Sequence, residues 1–137
     1  MSVFTKGELD YLRGGVRRLA RIATVGKDGT PHVVPVGFRY EPAHDSIDVR
    51  GHDLERTKKY RDVERSGRAS IVIDDLASTD PWRPRGVEVR GRAEVVLSPR
   101  PLIRIHPERI VSWGVDAHGQ LARTVDSPAI ETATKAR

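Results

Sequence analysis

The chain reads as a mainly β protein with few helices, a small antiparallel barrel or sandwich. Three observations predict this. Five or six strand-like runs follow one another at short spacing with little helix between them. One run, Gly86 to Leu97, alternates strictly: Val87, Val89, Gly91, Ala93, Val95 and Leu97 against Glu88, Arg90, Arg92 and Glu94, the period of a half-buried strand. Another run carries Pro35 in its interior. Proline cannot donate to a ladder, so that strand belongs at an edge or at a bulge. A closed or split barrel disposes of the other edges.

The elements follow in order. Thr5-Lys6-Gly7-Glu8 has capping-box spacing, with Phe4 and Leu9 placed for a hydrophobic staple. Leu9, Leu12 and Val16 recur at helical spacing before the Gly14-Gly15 stop, so a short helix is expected over one end of a sheet. Leu19 to Val25 is a strand. Gly26-Lys27-Asp28-Gly29-Thr30-Pro31 is a turn, and His32 to Tyr40 is the next strand. Ser46 to Gly51 is strand-like and leads to a basic helix that Asp53 is placed to cap. Ala69 to Asp74 is a short strand, Asp75 to Arg85 a proline-containing loop, and Gly86 to Leu97 the longest strand. Leu102 to Ile105 and Ile110 to Val115 read as two short strands around His106-Pro107. Residues 1–137 form one domain, in which 118–137, small and polar, is expected as a loose tail.

The start of the basic helix is the candidate site. Arg56, Thr57, Lys58 and Lys59 bring a hydroxyl and cations to the turn whose free N–H groups and dipole favour an anion. A phosphate is the chemistry this suits. The competing reading is a solvated face. Asp53 to Arg68 holds six basic and four acidic residues, and Glu55–Lys59 and Lys58–Asp62 are spaced for surface ion pairs. Arg50 and His52 precede the helix and either can face the same anion or solvent. Arg17, Arg18 and Arg21 form a second basic cluster.

Composition excludes several classes. There is no cysteine, hence no disulfide, thiolate metal site or cysteine nucleophile, which fits a reducing cytoplasm. The five histidines show no familiar metal-ligand spacing. No Gly-x-Ser-x-Gly or phosphate-loop motif occurs, and no residue is assigned as catalytic acid, base or nucleophile. No apolar run approaches the ~20 residues of a membrane span. The net charge of +5 favours anionic partners. Nucleic acid is disfavoured, because two Phe, three Tyr and two Trp supply no aromatic pair for base stacking.

Three stretches, taken together and in order, resemble the pyridoxamine-phosphate-oxidase-like superfamily of flavin and deazaflavin proteins. They are Ala23 to Val36, Thr57-Lys58-Lys59 with Asp62-Val63, and Ile103 to Trp113. Trp82 to Glu94 is similar to its short, coenzyme F420-dependent branch. The resemblance covers Thr5 to Gly114. It implies a split β-barrel of the FMN-binding type and a homodimer with the cofactor at the interface. It implies that Thr57, Lys58 and Lys59 hold the cofactor phosphate and that the backbone around Val34, Pro35 and Val36 lies against the ring. It also implies that Trp113 closes the fold near the cofactor. The activity implied is F420-dependent hydride transfer to an unsaturated small molecule. FMN with the same fold and a binding protein without turnover are the alternatives. Many members have Asn where this chain has Asp62, an acid useful near a phosphate only if it pairs with Lys58 or Arg61.

Overall fold

The computed structural model describes residues 1–117 and 119–126. Eight strands form one antiparallel sheet: β1 (Ala20–Val25), β2 (Pro31–Val36), β3 (Arg39–Glu41), β4 (Ser46–Val49), β5 (Arg68–Thr79), β6 (Trp82–Val96), β7 (Leu102–Trp113) and β8 (Leu121–Thr124). Helix α1 spans Lys6–Arg13 and α2 spans Lys58–Ser66. The strand order is β2-β1-β5-β6-β7-β4-β3, with β8 also on β7. β2 and β3 stand at opposite edges, yet only Gly37 and Phe38 separate them in sequence. A chain that short can join both edges only if the sheet rolls up. The two edge strands are not paired with each other, which leaves the barrel split. β7 also forks: Ile103 to Ile105 pair with β4, Arg109 to Ser112 with β8. No helix among the described residues is long and apolar enough to cross a membrane.

The core follows the alternation. Ile22 in β1, Ile71 and Ile73 in β5, Val87 and Val89 in β6, and Ile103, Ile105 and Ile110 in β7 are buried and face inward. Pro35 lies on an edge strand, as expected. The capping box forms: the Glu8 N–H donates to Thr5 and the Thr5 N–H to the Glu8 carboxylate. Helix α1 inserts Tyr11 and Leu12 into the core, and Phe4, just before the helix, packs edge-on against Tyr40. Val16 lies beyond α1 and is exposed, so it adds nothing to the helical face.

Four expectations are corrected. His32 to Tyr40 is not one strand but two, interrupted where the chain crosses between edges. Asp75 to Arg85 is not a loop: β5 and β6 run on as a hairpin, pairing Asp75 with Arg85 and Thr79 with Trp82. Arg85 explains this extension, donating two hydrogen bonds to Asp75 at 2.7 and 3.1 Å. Leu102 to Trp113 is one strand with a bulge opposite Gly91, where any Cβ would overlap the His106 carbonyl. Within the expected tail, Leu121–Thr124 is a strand on β7; residues 118 and 127–137 lie outside the described residues.

Candidate functional site

Helix α2 begins without Asp53 as its cap. Asp53 is left-handed (φ 49°) and precedes a 3-10 turn, Leu54–Arg56, while its side chain caps nothing. Thr57 is the cap. Its hydroxyl donates to the Leu54 carbonyl at 2.6 Å and accepts from the Tyr60 N–H at 3.4 Å. The first turn contains no acid, although the dipole favours one there; it carries Lys58 and Lys59 instead. Lys58 is exposed. Lys59 is half-buried, and burial holds its pKa below the ordinary lysine value. Among the described residues no carboxylate forms an ion pair with it. A desolvated ammonium without a counterion, at the positive end of a helix, is a fitting seat for a phosphate.

The rest of α2 fastens this start to the barrel. Tyr60 and Val63 are buried, and so is Asp62. Asp62 turns away from the helix start. It accepts from the Thr24 hydroxyl of β1 at 2.8 Å and from Arg65 at 3.4 Å, and it lies 3.3 Å from Nδ1 of His32 in β2. Burial resists its ionisation, but the Thr24 and Arg65 hydrogen bonds and the Lys58 and Arg65 charges outweigh it and lower the pKa. Asp62 is therefore satisfied by Thr24 of the sheet and by Arg65, not by Arg61.

β2 presents two faces. His32, Val34 and Val36 pair with Thr24, Ile22 and Ala20 and face the α2 side; Val33 and Pro35 pair with Ala23 and Arg21 and face outward. Between the β1–β2 turn and α2 lies an open groove of about 710 Å³, lined by Lys27, His32, Lys58, Arg61, Asp62 and Arg65 among others.

The predicted residues thus fall into groups. Thr57, Lys58 and Lys59 occupy the helix start, and Val34 and Val36 lie on the face of β2 that meets α2 through His32 and Asp62. Pro35 and Trp113 are on the outer face, where Trp113 stands beside Val33 and Val72. Arg50, His52 and Arg56 are exposed; His52 lies 3.3 Å from Asp53, and the Arg56 carbonyl accepts from Arg61 at 2.9 Å. Of the other basic cluster, Arg18 is structural: it stacks over Tyr11 at 4.0 Å and donates to Asp75 at 3.0 Å. Sequence reasoning missed the His32–Asp62–Thr24 link. The alternation of β2 puts His32 on the Val34 face, but only the register with β1 brings Asp62 to it.

A rolled antiparallel sheet with two unpaired edges, and a cationic helix start fastened beside one of them, defines a split β-barrel. The chain belongs to the pyridoxamine 5'-phosphate oxidase family, whose model matches residues 16–125. It is 38% identical over 122 residues to the 5a,11a-dehydrotetracycline/5a,11a-dehydrooxytetracycline reductase of Streptomyces rimosus subsp. rimosus, covering 82% of this chain and 84% of that one. Its fold is similar to that of the conserved hypothetical protein Rv2991 of Mycobacterium tuberculosis, with a TM-score of 0.67, 21% identity and coverage of 93% and 95%. It is also similar to an F420 reductase, with a TM-score of 0.61, 20% identity and coverage of 78% and 98%. At these two lower identities the likeness is one of fold.

Proposed function

We propose that this protein is a coenzyme F420-dependent oxidoreductase that transfers hydride to an unsaturated carbon of a conjugated small molecule, acting as a homodimer with the cofactor between subunits. The observation that carries this reading is Lys59. It is half-buried and has no carboxylate in an ion pair among the described residues, in a helix start that holds two lysines and no acid. Two cations there oppose the helix dipole, a cost a bound phosphate offsets. The dehydrotetracycline reductase, 38% identical, supports reduction of an unsaturated substrate.

In this reading Lys59 and Lys58 hold the phosphate with the first N–H groups of α2. Thr57 keeps that turn in shape, since its hydroxyl proton is committed to Leu54. The backbone of Val34, Pro35 and Val36 on the edge strand supports the ring system. Arg50, His52 and Arg56, all exposed, are free to meet the remaining acidic groups of the cofactor. When bound, the deazaflavin supplies the hydride. The protein's part is to bind, to orient and to exclude water, so no side chain is needed as nucleophile. The exposed Val33, Val34 and Trp82 are apolar surface that a second subunit would cover.

Fluorescence titration of the purified protein with F420 and with FMN tests the reading, beside light scattering for the dimer. Saturable F420 binding to a dimer is expected. Binding of FMN alone would move the protein to flavin chemistry on the same fold, and F420 binding without turnover across conjugated substrates would make it a carrier.

A further inference from the structure

Strand β2 and helix α2 are separate elements, and a single ion pair among the described residues ties one to the other. β2 is an edge strand with a ladder on one side only, to β1. His32 of β2 makes the tie, its Nδ1 3.3 Å from Oδ2 of Asp62 in α2. Asp62 is a fixed post. It is buried and accepts from Thr24 of β1 at 2.8 Å and from Arg65, which also donates to the Val25 carbonyl. The β1–β2 turn wedges the His32 ring from the other side, since a Cβ on Gly26 would stand 2.7 Å from it. Yet Nδ1 is buried and has no hydrogen-bond partner among the described residues. Its separation from Asp62 allows a hydrogen bond that the present ring angle does not make. A buried polar atom left in this way calls for a reason.

We propose that His32 and Asp62 are positioning residues. Together they set the spacing between the phosphate seat on α2 and the ring-supporting backbone of β2, and their contact closes to a full hydrogen bond when one cofactor molecule occupies both. The path between the two seats is short and stiff. Asp62 lies one turn after Lys58, about 5.4 Å along the helix. His32 lies two residues before Val34 on the same face, roughly 7 Å along the strand. A ligand with two heads gains from both only if the protein holds their seats at the ligand's own spacing. A small turn of the ring, or a small shift of the edge strand, aligns Nδ1 with a carboxylate that the sheet already holds still. The phosphate and the ring rest on the function proposed above; the clasp of β2 to α2 stands on its own geometry.

The test compares two variants of the full-length protein. His32→Val keeps a strand-forming residue and removes the donor; His32→Asn puts an amide N–H near the place of Nδ1. Without cofactor, amide exchange over β2 should quicken about fivefold in His32→Val and return toward the original rate in His32→Asn. F420 is then titrated beside two of its parts, the phosphate-free deazaflavin and inorganic phosphate. His32→Val should weaken F420 about tenfold and each part less than about twofold, and His32→Asn should recover most of the loss. Unchanged exchange over β2 would overturn the inference, because nothing would then be clasped. So would a loss for either part as large as that for F420, because His32 would then serve one seat and not their spacing. Unmodified protein that binds neither F420 nor phosphate, with exchange over β2 still quickened by His32→Val, would strike the proposed function and leave the clasp standing.

Discussion

The two ends of the barrel treat charge in opposite ways. At the α1 end every buried charge has its partner. Glu8 is fully buried, accepts from Arg123 at 2.7 and 2.9 Å and from Ser112 at 2.7 Å, and receives the Thr5 N–H. Burial opposes its ionisation, but Arg123, Ser112 and Thr5 hold its pKa below the usual carboxylate value. Nearby, Asp75 binds Arg85, Tyr11 and Arg18 at once. At the α2 start, among the described residues, no carboxylate forms an ion pair with Lys59. A satisfied network locks α1 onto the barrel, whereas an unsatisfied ammonium is worth keeping only where a ligand completes it.

Four substitutions sharpen or break that contrast, from the largest effect to the smallest. Glu8→Ala strands Arg123 beside the core and should cost about 3 kcal/mol of stability in urea unfolding; a loss under about 1 kcal/mol would show that the α1 end is no tighter than the α2 start. Lys59→Ala should weaken F420 by roughly 1.5–3 kcal/mol, about 10- to 150-fold in Kd. Its stability should hold or rise by about 0.5 kcal/mol, since a cation leaves a helix N-terminus; unchanged cofactor affinity would end its assigned role.

Asp75 tests the satisfied end by pH. Hydrogen bonds from Arg85 come first among the causes that hold its pKa far below the usual value, against burial. With the folded pKa depressed, its contribution is complete above the unfolded value of about 4 and is lost as pH falls toward the folded value. Asp75→Asn should therefore lower Tm at pH 7, and the gap from the unmodified protein should narrow below about pH 4. A gap constant from pH 7 to 3 would remove Asp75 from the acid response. The smallest effect belongs to Lys58→Ala: the side chain is exposed, so F420 affinity should fall by less than about fivefold.

Much of the fold was legible, because local patterns carry it. The capping box of α1, the alternation of Val87 to Ala93 and the edge position of Pro35 each follow from a few neighbouring residues. What misled was local polarity. Asp75 to Arg85 looks like a loop by its prolines and charges, yet cross-strand Arg85–Asp75 hydrogen bonds make it a hairpin. Pro107 looks like a break, yet a bulge accommodated by Gly91 carries β7 through. At the site, the lysines at 58 and 59 were legible as residues. That Lys59 is half-buried depends on packing, and that Asp62 turns inward to Thr24 depends on a contact 38 residues apart in the chain.

The sequence by itself determined the mainly β class, the capping box of α1 and the chemistry available at the α2 start, since propensity, alternation and charge act between near neighbours. Only the tertiary structure decided which strand lies at which edge, which of Val34 and Pro35 faces α2, and which charges lose their water. Those outcomes depend on register and desolvation, and both are set when distant segments pack together.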